Sequence, residues 1–303
     1  MSSATASILR PIRLPELDLH IPADLDELLA QLASGTHPFA GGTDILLWAS
    51  QRGEPRRLVW TGGIGALHAF EPEGDPIEVG AAVPLSRVVR SAALRAGAPA
   101  VAEGAQSIGS VQLRNQGTLV GNVCTASPAG DTLPGLLVHD ARVEILGPSG
   151  NRRRLGLKDF LLGPGRTALE PGELVAGVSL SRLGPREASS FLRFTQRQSL
   201  DLAIASVAAR IGLEADGHTV RAARLALGAV APTAIEAEEA AAMLVGGPIT
   251  EGGLRACAEA AAEACAPISD HRASADYRRH LVRTLVRDAI EASRRRAQGT
   301  RDP

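Results

Sequence analysis

One segment constrains this chain more than any other: Gly117-Thr118-Leu119-Val120-Gly121-Asn122-Val123-Cys124-Thr125-Ala126-Ser127-Pro128-Ala129-Gly130-Asp131-Thr132-Leu133-Pro134. Gly117, Thr118, Gly121 and Asn122 let a backbone approach a ligand closely, because glycine lacks a Cβ and accepts positive φ. Thr118 and Asn122 add side-chain hydrogen-bonding groups. Ser127-Pro128 fixes a turn, and Asp131 supplies one carboxylate beyond it. Alone, the segment reads equally well as an irregular structural loop. A second stretch, Pro38-Phe39-Ala40-Gly41-Gly42-Thr43-Asp44-Ile45, is another small-residue turn and runs into Leu46-Leu47-Trp48. Paired turns of this kind supply backbone N–H donors to an anionic ligand without a lysine-rich pocket.

Composition removes several function classes. The 303 residues suffice for two domains. With 32 basic and 33 acidic residues the formal charge is −1, which gives no nucleic-acid signal. Lys158 is the sole lysine, a bias that fits genome composition better than function. No apolar run nears the roughly 20 residues that span a bilayer. Met1 to Leu9 has no apolar centre and reads as a short disordered leader rather than a signal peptide. Cys124, Cys257 and Cys265 have no iron–sulfur spacing, and the expected setting is a reducing cytoplasm. Cys257 and Cys265 sit in an alanine-rich helix as small apolar groups, and Cys124 reads as a packed thiol. His271 and His280 are isolated, and no HExxH occurs. Gly62-Gly63-Ile64-Gly65 approaches a dinucleotide fingerprint, but His68 stands at the third glycine, so a turn into a short helix is expected. Ala105-Gln106-Ser107-Ile108-Gly109 misses a nucleophile elbow by its first glycine.

Ala40-Gly41-Gly42-Thr43-Asp44 and Thr118-Leu119-Val120-Gly121-Asn122, followed by Ala126-Ser127-Pro128 and Asp131, resemble the paired phosphate-binding loops of the molybdenum hydroxylase FAD-binding (medium) subunits. These include the xanthine dehydrogenase and carbon monoxide dehydrogenase types. The resemblance runs from about residue 12 to about residue 291; the departure is Val120, where the family usually has glycine. It implies an α+β fold: a two-part FAD-binding domain of the PCMH/vanillyl-alcohol-oxidase-like type over 1–183, then a smaller α+β domain with an antiparallel sheet and helices over 188–295. It implies non-covalent FAD held by residues 38 to 45 (Pro38, Phe39, Ala40, Gly41, Gly42, Thr43, Asp44 and Ile45) and by Thr118, Val120, Gly121 and Asn122. Ile108, Asp131 and Val175 are further positions. Arg193 stands where a lysine often lies by the flavin, and Arg197 and Asp201 match an R-x-x-x-D pattern expected as a plain ion pair. The molybdenum cofactor and [2Fe-2S] clusters are then expected in a large and a small partner, in a heterotrimer or its dimer. Alternatives are a stand-alone flavin oxidase of the same fold and an FAD-stabilised scaffold. Arg114 is expected as a solvated charge.

Periodicity fills in the rest. Helices are expected over 24–33, 85–94, 101–108, 234–245, 252–266 and 276–295, the last with Tyr277, Leu281, Leu285, Val286 and Ile290 in one stripe. Strands are expected at 58–60, 76–82 and 142–146, with further apolar elements at 158–162 and 174–180 and a hairpin around Asp216-Gly217.

Overall fold

The structure, a computed structural model, describes residues 15–197 and 200–299. The expected leader Met1 to Leu9, and Gln198 and Ser199 of the segment around Arg193, lie outside the described residues.

The chain opens with β1 (Asp18–His20), α1 (Leu25–Ala33), β2 (His37–Phe39), α2 (Ile45–Arg52) and β3 (Arg57–Trp60), whose strands run parallel in the order β1-β3-β2. α1 starts on Asp24, whose carboxylate accepts from the Glu27 N–H at 2.9 Å, and it buries Leu28, Leu29 and Leu32. After β3, Gly62 and Gly63 turn into a short 3-10 helix, Gly65–His68, as expected.

A second, antiparallel sheet begins with β4 (Phe70–Glu71) and β5 (Ile77–Gly80). Six helices then intervene: α3 (Leu85–Arg90), α4 (Ala92–Gly97), α5 (Pro99–Ser107), α6 (Val111–Gln116), α7 (Leu119–Thr125) and α8 (Thr132–Val138). Next come β6 (Arg142–Leu146), β7 (Arg152–Gly156), α9 (Leu157–Phe160), a small hairpin of β8 (Leu161–Gly163) and β9 (Arg166–Thr167), and β10 (Leu174–Leu180). The five-stranded sheet has the order β4-β5-β10-β6-β7. Residues 85–94 form two helices rather than the expected one. Ser91 takes an extended backbone, and its hydroxyl caps a new helix by accepting from the Leu94 N–H at 3.1 Å.

The segment expected as a second glycine loop is mostly helical. Thr118 caps α7, and only Ala126 to Asp131 is a turn. Val120, 3 % exposed, therefore has its side chain in the core, and its backbone is that of a helix.

The C-terminal part is α+β. β11 (Glu187–Phe194), β12 (Ala205–Leu213), β13 (Val220–Gly228) and β14 (Ile235–Glu236) form an antiparallel meander, with the Asp216-Gly217 hairpin where expected. α10 (Glu238–Ala242), α11 (Glu251–Glu263) and α12 (Ala275–Ala297) follow. The helix expected over 234–245 shrinks to α10, because Ile235 and Glu236 pair with β13. On α12, Leu281, Leu285, Val286 and Ile290 are buried, but Tyr277 is exposed and meets Phe194 edge-on at 6.1 Å.

This sheet is covered on both faces. Val207, Ala209, Ile211, Leu225 and Leu227 pack with α11 and α12, while the alternate residues Ala208 and Ala226, with Phe191, join the core that holds α5 and α8. Two buried polar groups tie the layers together. Arg278, 1 % exposed, donates to the Ile204 carbonyl at 2.6 Å, the Ala229 carbonyl at 3.1 Å and Asp270 Oδ1 at 2.9 Å. Fully buried His139 follows α8; its Nδ1 lies 2.8 Å from the Ser181 carbonyl and its Nε2 2.9 Å from Ser189 Oγ. The Ser181 carbonyl can only accept, so Nδ1 carries the histidine proton and Ser189 Oγ, which accepts from the Ala100 N–H at 3.2 Å, donates its O–H to Nε2. Burial holds His139 down to about 4.

Candidate cofactor site

The two small-residue segments meet. A Cβ on Gly41 would overlap the Gln116 carbonyl oxygen, so the first turn lies backbone to backbone on the end of α6. Gly42 sits at φ +70, the left-handed region. Phe39 and Ala40 turn their carbonyls into the protein: Thr61 N–H donates to Phe39 O at 2.9 Å, and the Trp60 indole N–H to Ala40 O at 3.1 Å. The Asp44 carboxylate accepts from Thr125 Oγ1 of α7 at 2.8 Å. Among the described residues, the N–H groups of Gly41, Gly42, Thr43 and Asp44 have no protein acceptor, and the four residues are only half-buried. Such a row of free donors fits a pyrophosphate. Pro38 and Phe39 belong to β2, and Ile45 is buried at the start of α2.

On the facing segment, Thr118 Oγ1 accepts from the Gly121 N–H at 2.9 Å, and Asn122 Oδ1 accepts from Thr132 Oγ1 at 2.6 Å. Asp131, 5 % exposed, ends the turn. Its Oδ2 accepts from Ser107 Oγ at 2.9 Å and from the Arg193 guanidinium, while its Oδ1 is buried without a partner among the described residues. Burial pushes the Asp131 carboxyl above the ordinary range, and the charge of Arg193 and the hydroxyl of Ser107 pull against that.

Arg193, expected at the flavin, lies on Asp131, itself an expected cofactor position, and also donates to the Asp201 carbonyl at 3.3 Å. Arg114 is not a solvated charge; it folds back to donate to the Ile108 carbonyl at 2.8 Å. Val175 is buried in β10. Arg197 and Asp201 pair at 3.6 Å within their own loop, and the Asp201 carboxylate also caps the Gln196 and Arg197 N–H groups. Those backbone bonds hold Asp201 below the usual carboxylate range. Cys124 packs against the core, and burial pushes its thiol up to about 12.

A cleft of about 660 Å³ opens elsewhere, between α8–α9 and β13–α10. Two ion pairs line it, Lys158 with Glu238 at 2.7 Å and Arg224 with Asp140 at 3.5 Å, and none of the expected cofactor residues does. The free N–H groups of Gly41 to Asp44 belong to the first turn, not to this cleft. Among the described residues, no three His, Cys, Asp or Glu side chains converge as metal ligands, and no helix is long and apolar enough to cross a membrane.

Residues 15–182 match the family described as the FAD binding domain in molybdopterin dehydrogenase, and residues 190–293 the CO dehydrogenase flavoprotein C-terminal domain. The chain belongs to the FAD-binding subunit family of the molybdenum hydroxylases. It is 30 % identical over 283 residues to the carbon monoxide dehydrogenase medium chain of Hydrogenophaga pseudoflava, covering 92 % of this chain and 97 % of that one. It is 28 % identical to the xanthine dehydrogenase FAD-binding subunit of Escherichia coli O157:H7, covering 89 % and 94 %. A chain of reconstituted CO dehydrogenase from Oligotropha carboxidovorans superposes with a TM-score of 0.88 at 28 % identity, covering 94 % of this chain and all of that one.

Within the family's two matched regions, Asp131 comes from the first and Arg193 from the second, so their ion pair joins the two. Sequence reasoning did not single out the residues that support the motif: Trp60 on Ala40, Thr125 on Asp44, Thr132 on Asn122 and Ser107 on Asp131. Thr125 and Thr132 stand inside or beside the motif as hydroxyl residues, a usable signal. Ser107 reaches Asp131 across 24 residues and becomes visible only in the fold.

Proposed function

We propose that this chain binds FAD non-covalently and passes electrons from [2Fe-2S] clusters in a small partner subunit to an external acceptor. The free N–H groups of Gly41, Gly42, Thr43 and Asp44, set against the end of α6 and the start of α7, carry this reading. Pro38 to Ile45, Thr118, Gly121 and Asn122 hold the cofactor, with Ile108, Asp131 and Arg193 around it. Val120 and Val175, whose side chains are buried in the core, offer only their backbones. FAD suits this position because it takes up electrons singly and gives them up as a pair. The electrons enter at a molybdenum cofactor in a large partner, so this chain alone does not hydroxylate a substrate. The reading assigns 1–183 to FAD binding and 188–295 to the C-terminal domain, and it sets the complex, a heterotrimer or its dimer, in the cytoplasm.

The test is co-expression with candidate iron–sulfur and molybdopterin subunits, size-exclusion chromatography, and anaerobic addition of the complex's substrate while flavin absorbance is followed. Flavin bleaching only in the assembled complex is expected. Substrate-dependent bleaching of this chain alone would establish a stand-alone oxidase instead.

A further inference from the structure

Thr132, the first residue of α8, is 0 % exposed. Its hydroxyl has one partner among the described residues, Asn122 Oδ1 at 2.6 Å. That single contact decides which way the Asn122 amide points. If the amide were turned over, the threonine oxygen would accept from Nδ2 and its own O–H would be left buried without an acceptor. A stranded buried donor costs more than a made bond returns. The hydroxyl therefore donates to Oδ1, and the Asn122 NH2 is turned away from α8. That nitrogen has no protein acceptor among the described residues, and it is not sealed from solvent. It sits on α7, which is joined to the first turn through the Thr125–Asp44 bond.

We propose that Thr132 is a positioning residue for the cofactor: it locks the Asn122 amide so that its two N–H groups point to an acceptor on bound FAD. This rests on the FAD reading above. An unlocked asparagine would populate both orientations, and the one with Oδ1 outward sets a lone pair against the same acceptor.

The experiment is fluorescence titration of the full chain, freed of flavin, with FAD. It compares wild type, Thr132→Val, Thr132→Ser, Asn122→Ala and the double variant Thr132→Val with Asn122→Ala. Valine keeps the shape and removes the hydroxyl. Thr132→Val should bind FAD roughly five- to tenfold more weakly, the scale of one lost hydrogen bond. Thr132→Ser, which restores the hydroxyl, should return to within about twofold of wild type. In the Asn122→Ala background the valine change should add no further loss, since the two residues act as one unit. Wild-type affinity in Thr132→Val would overturn the proposal, and so would an equal loss with and without Asn122. Should Thr132→Val misfold, shown by thermal unfolding of the flavin-free chain, Thr132→Ala takes its place, alone and together with Asn122→Ala, and the same outcomes decide. A wild-type chain that binds no FAD would instead refute the FAD reading itself.

Discussion

Gly41 and Gly42 are adjacent but meet different demands. At Gly41 the obstacle is the Gln116 carbonyl, which belongs to another helix and cannot swing aside. At Gly42 it is the left-handed backbone, which costs a non-glycine residue about 1–3 kcal/mol. Gly41→Ala should therefore separate the two cofactor segments and abolish FAD retention, read as loss of flavin absorbance in the purified protein. Gly42→Val should do the same while the C-terminal sheet stays folded; a variant with normal flavin content would remove this turn from the site. His139 makes a pH prediction. The unfolded chain takes up a proton near the ordinary histidine value, about 6.5, whereas the folded chain resists until about 4. The neutral ring's contribution is thus complete above pH 6.5 and is lost as pH falls through 4, on the order of 3 kcal/mol in all. Urea denaturation from pH 7 to 4 should show this slope, and His139→Leu should flatten it.

At the scale of elements, α12 is fastened by a charge as well as by its apolar stripe. Arg278 reaches the start of β12, the carbonyl just past β13, and Asp270. Removing it leaves two buried carbonyls short of donors and weakens the pairing of Asp270. Arg278→Ala should cost about 3–5 kcal/mol, and Arg278→Lys should recover only part, because an ammonium cannot reproduce the fork; the urea midpoint measures both. Elements with local signals were legible in the sequence: α1 from Asp24 and its leucines, the β12–β13 hairpin from Asp216-Gly217, the buried stripe of α12. The misses share a cause. Ser91, Ile235 and Glu236 have helical neighbours but are claimed by a cap or by a strand partner, and Tyr277 by an aromatic across the sheet's end. The glycines of residues 117–121 advertised a loop, while Thr118 made the latter part a helix by capping it.

For the whole molecule, packing rather than rim charge joins the two parts. Lys158 and Glu238 are well exposed, so Lys158→Ala should change stability by less than about 1 kcal/mol. Ala208, 0 % exposed, lies on the side of β12 that joins the α5–α8 core; Ala208→Leu should cost about 1–3 kcal/mol through overpacking. Paired denaturation curves would test the contrast. The family itself was legible, since each of the two motifs that carry the resemblance is compact in sequence. The pairing of Asp131 with Arg193 was not, because 62 residues separate them and no local pattern announces a contact between parts of a fold.

The doubly covered β12 also has a consequence in time. α5 and α8 leave the ribosome complete by Val138, but the sheet that covers them starts with β11 at Glu187. At about 5–20 residues per second, synthesis leaves that apolar face open for on the order of 2 to 10 seconds. A nascent chain stalled before Glu187 should be a chaperone client, and one extended past Gly228 should not. Protease digestion of the two stalled species would show whether the interval is real.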